Sequence, residues 1–270
     1  MSVSNVLNGR AVSVRIKDAV LQAIDDLDYT PNQAARQLAS AAPMFIGLVH
    51  SNDEHPLSSA LLTGALKATA RLGVQLLLQP IVYSEIDRGW QAVEALRNRG
   101  AEAILVPPVV GEAMAESLQD GEIDFPMICV GPAGPINGIS SVRIDDTAAA
   151  REIAGILIAK GHTRIGFIRG SNYLPWYESR TDGYRRALLD HGLPCDHDLI
   201  ADGGFDCQQA LESTARLLDL PDPPTAIFAC SDEMAAGALT MAHMRGVSVP
   251  EKLAVAGFDD SYFAQRSGRH

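Results

Sequence analysis

Aromatic residues make up only 6% of the 270 residues, and cysteine is scarcer still, with four. Cys129, Cys195, Cys207 and Cys230 are widely spaced and form no C-x-x-C pair, so the clustered ligand set of a zinc site is missing. Cys129 and Cys230 sit inside apolar runs and read as small buried hydrophobes, which fits a reducing cytoplasm. No apolar run approaches the roughly 20 residues needed to span a bilayer, and no basic n-region leads into an apolar h-region and a small-residue cleavage site. The expectation is therefore a cytoplasmic chain with no membrane partner. Positive charge is also in deficit: 22 Lys and Arg against 33 Asp and Glu give a net charge of −11, which taken alone argues against a general nucleic-acid binder. Catalytic signatures are missing as well. There is no G-x-x-x-x-G-K-[ST], no G-x-S-x-G and no H-E-x-x-H. Gly131, Gly134 and Gly138 are wrongly spaced for a dinucleotide fingerprint, and Pro132 and Pro135 spoil its turn. His50 to His55 reads as a solvated loop rather than a metal cluster. No catalytic residue, metal or cofactor is expected.

What is present is a 47% hydrophobic chain with regular patterning, enough for one large or two medium cores. Short apolar runs occur at Phe45–Val49, Val74–Leu78, Ala103–Val106, Met127–Val130, Ile165–Ile168, Ala226–Ala229 and Leu253–Ala256. Several are continuously apolar, as strands buried on both faces are. Between them lie helix-length segments with apolar three-and-four spacing, such as Trp90, Val93 and Leu96, or Ile153, Leu157 and Ile158. Gly73, Gly100, Gly161, Gly192 and Gly246 follow these segments as C-cap signals. Strand and helix alternating this often predict an α/β protein with parallel sheets. A turn-rich stretch from Gly131 to Gly138 places a division near residues 139–146, with four strands before it and three after, joined by a crossover around 140–145.

The first 40 residues differ. They carry four basic and four acidic residues, so the whole excess of −11 sits on the α/β body. Met1 to Asn8 reads as the tail of a short helix, Asn8-Gly-Arg as a turn, and Ser13 as the N-cap of a helix with Ile16, Val20, Ala23, Ile24 and Leu27 on one face. Tyr29-Thr-Pro-Asn breaks that helix, and a short helical stretch from Asn32 to Ser40 ends before Pro43.

Val3-Ser-Asn-Val-Leu-Asn-Gly-Arg, Val12-Ser, Ala23-Ile-Asp-Asp-Leu-Asp-Tyr-Thr-Pro-Asn and Ala35-Arg-Gln-Leu resemble the DNA-binding headpiece of the lactose-repressor (LacI/GalR) family. The body continues the likeness with Ile46-Gly-Leu-Val, Leu157-Ile-Ala-Lys-Gly-His-Thr-Arg-Ile-Gly-Phe-Ile-Arg-Gly, Arg180-Thr-Asp-Gly-Tyr, Ser231-Asp-Glu-Met-Ala-Ala-Gly-Ala and Val255-Ala-Gly-Phe-Asp-Asp, in the family's order up to about residue 262. The resemblance implies a two-lobed body of the periplasmic-binding-protein-like type 1 fold with parallel sheets, preceded by a partial helix-turn-helix headpiece and hinge helix. It sets the domains at 1–43 for headpiece and hinge, 44–139 for the N-terminal subdomain and 140–270 for the C-terminal subdomain, incomplete at its end. It further implies a homodimer that reads a palindromic operator and binds a small molecule, usually a sugar or nucleobase, between its lobes.

Residue by residue, Ser2, Ser4, Asn5, Asn8 and Ser13 fall where family members contact DNA. The first four fall in the part that, in a helix-turn-helix unit, belongs to the helix entering the major groove. Asn32, Ala35 and Leu38 match the hinge helix, with Leu38 the apolar wedge for the minor groove; the bland alternative is a linker with Leu38 packed on the body. For the effector, Arg180 matches a cleft arginine and otherwise reads as a surface side chain. Asp232 is either a ligand acceptor or a helix N-cap. Phe205 either stacks on the ligand or fills the core. Asp146 (or Asp145) at the crossover and Asp259 after the last strand are ligand groups or helix caps, with His55 and Leu57 weaker candidates from the first lobe. Trp176 and Tyr177 read as loop aromatics lining the cleft or as a cover for the second core. The likeness starts inside the recognition helix and stops some 60 residues before the family's usual end, so the chain is expected to be clipped at both ends, with apolar faces left uncovered. The rival reading is a sugar-binding protein without DNA-binding activity.

Overall fold

The structure, a computed structural model, describes residues 6, 12–27, 44–51, 56–117, 123, 125–170, 175–204, 206–261 and 264–265. Contacts divide the chain into two units, Met1–Met44 and Phe45–His270. In the first, helix α1 spans Val14–Asp26. Ser13 stands just before it, and its carbonyl accepts from the N–H groups of Ile16 and Lys17, as an N-cap position requires. On the anticipated apolar stripe Val20 and Ile24 are half-buried, while Ile16 and Leu27 are exposed.

The second unit holds two parallel sheets. The first has the order β2-β1-β3-β4-β5, built from β1 (Phe45–Ser51), β2 (Gln75–Ile81), β3 (Ala101–Val106), β4 (Met127–Val130) and β5 (Ser140–Val142). The second has the order β7-β6-β8-β9, from β6 (Ile165–Arg169), β7 (Ile200–Asp202), β8 (Ala226–Ala229) and β9 (Ala254–Ala256). Every pairing is parallel. Each of the seven apolar runs marks a strand, with Val74 and Leu253 falling one residue before β2 and β9. The two further strands, β5 and β7, are three-residue edge elements with polar members, which is why no apolar run marks them. Ser140–Val142 pairs with β4, so the expected start of the second subdomain at 140 falls inside the first sheet's edge strand. The crossover begins only after it, where residues 143–145 lead into the next helix.

The helices supply the covering layers. Helices α2 (Pro56–Leu72) and α3 (Gly89–Asn98) pack on β1 and β2, and α4 (Pro108–Ser117) follows β3. Around the second sheet, α5 (Asp146–Ala159) packs on α6 (Pro175–Asp190), and α7 (Cys207–Leu218) on α8 (Asp232–Met244). Asp145, Asp206 and Ser231 N-cap α5, α7 and α8 through side-chain oxygens that accept from the backbone N–H groups of Ala148, Gln209 and Met234, first-turn donors with no partner inside the helix. At the other end of α5, Gly161 takes φ +95°, and His162 N–H closes on the Leu157 carbonyl, a left-handed stop that a side chain would strain.

Close helix contact depends on glycine. A Cβ at Gly183 of α6 would lie 2.3 Å from the Thr147 carbonyl, and one at Gly237 of α8 would lie 2.5 Å from the Cys207 carbonyl. The first core is mainly aliphatic, with Val49, Val93, Leu96, Ile104, Val106 and Met127. The second is centred on aromatics: Phe167 stacks on Tyr184 at 4.6 Å and meets Phe228 edge-on at 5.2 Å. The Tyr184 hydroxyl is satisfied by donating to the Ile165 carbonyl at 2.8 Å. Val109 and Ala133, from the carboxyl end of the first sheet, pack against the second core. Among the described residues no helix is long and apolar enough to cross a membrane.

Candidate functional site

Ligands of parallel α/β sheets bind beyond the carboxyl ends of the strands. At that end of the second sheet the chain builds a buried ionic cluster. Arg180, in the second turn of α6, donates from Nε to Asp146 Oδ1 at 2.9 Å and from Nη1 to the Cys230 carbonyl at 2.5 Å. Its Nη2 lies 3.1 Å from Asp259 Oδ1. Side-chain exposure is 8% for Arg180, 6% for Asp146 and 31% for Asp259, so only the last reaches solvent appreciably. The guanidinium also lies over the Phe258 ring, 3.7 Å from its centre, and 5.5 Å from that of Tyr177.

Each partner is brought in by a different element. Asp146 is the first residue of α5, and Asp145 takes the cap, accepting from Ala148 N–H at 2.9 Å. Cys230 ends the β8 crossing. Phe258 and Asp259 follow β9. Asp259 and Asp260 hold positive φ, 100° and 48°, conformations unfavourable for side chains with a Cβ by about 1–3 kcal/mol each. Two ties hold this turn: the Asp259–Arg180 pair, and Asp232 Oδ2, which accepts from Ser261 N–H at 2.6 Å. Gly257 is needed beneath it, because a Cβ there would lie 2.5 Å from Asp232 Oδ1.

The structure therefore brings Arg180, Asp146 and Asp259 into contact and sets Asp232 beside them. Asp232 is not the helix cap: Ser231 is, its Oγ accepting from Met234 N–H at 3.2 Å. Of the two readings of Trp176 and Tyr177, the structure fits the cover for the second core and not the loop aromatics. Both lie in the first turn of α6 and are buried in the second core, drawn there because Gly170 leaves room for the Tyr177 ring, 2.4 Å from where a Cβ would stand. Phe205 and His55 lie outside the described residues, as do Ser2, Ser4, Asn5, Asn8, Asn32, Ala35 and Leu38. Leu57 is half-buried and sits against Gly131. Sequence reasoning missed Phe258, whose signal is its place beside Asp259, and the Cys230 carbonyl, a backbone group that residue type does not reveal. It also missed the buried Ser51–Ser58 hydroxyl pair, 3.1 Å apart at the carboxyl end of β1.

Two titratable groups of the cluster are held neutral. Burial pushes the Cys230 thiol up to about 12, opposed by the Gly170 backbone hydrogen bond and the Arg180 charge. Burial likewise raises the Tyr177 phenol, against the nearby Arg180 cation. Neither is a nucleophile or base near neutrality. Among the described residues no group of three His, Cys, Asp or Glu side chains is placed to hold a metal ion.

Residues 154–269 match the family model described as a periplasmic binding protein-like domain. The chain is 33% identical to the HTH-type transcriptional regulator AscG of Escherichia coli (strain K12) over 96% of its own length and 78% of that protein's. Among solved structures, a sugar-binding transcriptional regulator (LacI family) from Escherichia coli complexed with phosphate superposes with a TM-score of 0.70 at 30% identity, covering 82% of this chain and 80% of the other. A complex of the transcriptional regulator CelR with cellobiose does so with a TM-score of 0.66 at 30% identity, covering 97% and 80%.

Proposed function

The chain belongs to the LacI family of transcriptional regulators, and from that premise we propose that it is a ligand-responsive DNA-binding regulator, of the repressor kind, governing sugar or related small-molecule metabolism. It acts as a homodimer in the cytoplasm and is not an enzyme. The observation that carries the ligand half is the Asp146–Arg180–Asp259 cluster: a buried charged group at the carboxyl ends of the second sheet's strands. A buried ion pair stabilises a fold only weakly, because desolvation offsets its attraction, so its presence here fits a recognition role. Arg180, Asp146, Asp259 and Asp232 are the proposed effector contacts, with Phe205 as a further candidate. Operator contact is assigned to Ser2, Ser4, Asn5, Asn8, Ser13, Asn32, Ala35 and Leu38 by their match to the family's headpiece and hinge.

The lobes are assigned to the two sheets, with the change of lobe at residues 143–145. An effector touching both lobes stabilises one arrangement of them over the other, and differential affinity is all that shifts such an equilibrium. The same coupling acts in reverse, so operator binding changes effector affinity by the same factor. The test is a thermal-shift screen of sugars and nucleobases against the full chain. A sugar or nucleobase should raise the melting temperature, and Asp146→Asn should reduce that rise while remaining folded. No response in the wild type, or an undiminished one in the variant, would count against the assignment.

A further inference from the structure

We infer that the effector site is selective for an uncharged, hydroxyl-rich molecule and rejects its phosphorylated or carboxylated counterparts. This inference rests on the effector-site reading above and adds the charge class of the ligand. Two kinds of feature in such a site can attract an anion: a guanidinium and the N-termini of the helices that open toward it. Here each is already neutralised from within. The Arg180 edge is taken by two carboxylates and a carbonyl, and its face is covered by the Phe258 ring. The N-terminal turns of α5 and α8 begin with carboxylates of their own, Asp146 and Asp232, and the first turn of α6 carries Glu178. The next cation along the sheet, Arg169 at the end of β6, is paired with Asp202.

Asp146, Asp232 and Asp259 against Arg180 leave the cluster with an excess of negative charge. Carboxylates accept hydrogen bonds and cannot donate them. A group that meets them must therefore be a donor, as a sugar hydroxyl is and a phosphate dianion or carboxylate is not. An anion entering here meets like charge in a partly desolvated site, where repulsion is screened less than in water.

Isothermal titration calorimetry on the full chain tests this with matched pairs: glucose with glucose 6-phosphate and glucuronate, galactose with galacturonate, ribose with ribose 5-phosphate, and adenosine with adenosine monophosphate. The expected result is that at least one neutral member binds and its anionic counterparts bind about tenfold more weakly or not at all. Asp259→Asn, at the solvent-facing side of the cluster, should narrow that gap by about tenfold, and Asp146→Asn provides a second, independent removal of charge. An anionic member binding as tightly as its neutral counterpart would overturn the inference and leave the regulator reading standing. A gap unchanged in both variants would also overturn it, since the carboxylates would not be its source. Binding by no member of any pair would remove the effector-site reading, and this inference with it.

Discussion

The two sheets of the body are built alike and used differently. Both are parallel, and both bury aliphatic side chains beneath helices. The first contains no charged residue among its described buried side chains, whose polar members are Ser51, Ser58 and Thr69. The second buries Asp146 and Arg180 and organises its core around three aromatic rings. The first also leaves apolar side chains exposed along β4 and β5, at Ile128 and Val142. The contrast teaches that the described buried charges gather in one lobe, while the other buries only hydroxyls and reaches the second core through Val109 and Ala133. On the effector reading proposed above, the charged contacts come from one lobe, so closure would depend on what fills the space between the two.

The largest way to break this contrast is Arg180→Ala. It strands Asp146 as a buried carboxylate without its cation and should cost about 3–5 kcal/mol in urea unfolding. Replacing the pair by apolar side chains, Arg180→Met with Asp146→Leu, should recover most of that loss while effector binding stays absent. Recovery without binding separates the pair's role in recognition from its role in folding. Next comes helix packing in the second lobe. Gly183→Ala drives a Cβ to 2.3 Å from the Thr147 carbonyl and should cost about 1–3 kcal/mol. Gly155→Ala, on the facing helix with nothing within 4 Å of the new atom, should be neutral or stabilise by up to about 1 kcal/mol. Equal effects at the two glycines would sink the packing account.

Smaller still is Tyr184→Phe, which keeps the ring stack on Phe167 and removes one buried hydrogen bond to Ile165. A loss of about 1 kcal/mol in the unfolding midpoint analysis is expected. Here the lobes can also be compared on equal terms, because each buries a cysteine. Burial holds Cys129 in the first and Cys230 in the second up to about 12, with Glu112 adding to the rise at Cys129. Their folded thiols stay neutral where unfolded ones ionise, from the ordinary 9.0 upward. The stability they contribute is present below pH 9 and lost as pH rises toward 12. A thiol reagent at pH 8 should label the exposed Cys195 and Cys207 and spare both buried cysteines until urea is added. Labelling of Cys230 but not Cys129 would mark the second lobe as the one that opens.

Most of the sheet framework was legible because continuous apolar runs have few other uses. Met127–Val130 and Ala226–Ala229 coincide with their strands to the residue. The edge strands β5 and β7 were not legible, since Ser140, Ser141 and Asp202 interrupt any apolar signal. For the site, Arg180, Asp146 and Asp259 were each nameable from motif position. Their mutual pairing was not, because residues 34 and 79 positions from Arg180 in sequence meet only through the fold. Asp232 was ambiguous because cap and ligand acceptor ask for the same residue types, and the structure gives the cap to Ser231. Trp176 was ambiguous because an aromatic just before an arginine suits a loop or a core cover, and only Gly170, which opens a place for its neighbour Tyr177 in the core, decides between them.

Hydrogen–deuterium exchange with and without the sugar that most stabilises the protein tests the central claim most directly. An effector held by the second lobe's cluster should slow exchange in the first turn of α5, in α6 around Arg180 and in the turn at 257–261. Slowed exchange confined to segments away from these three, with the cluster unchanged, would contradict it.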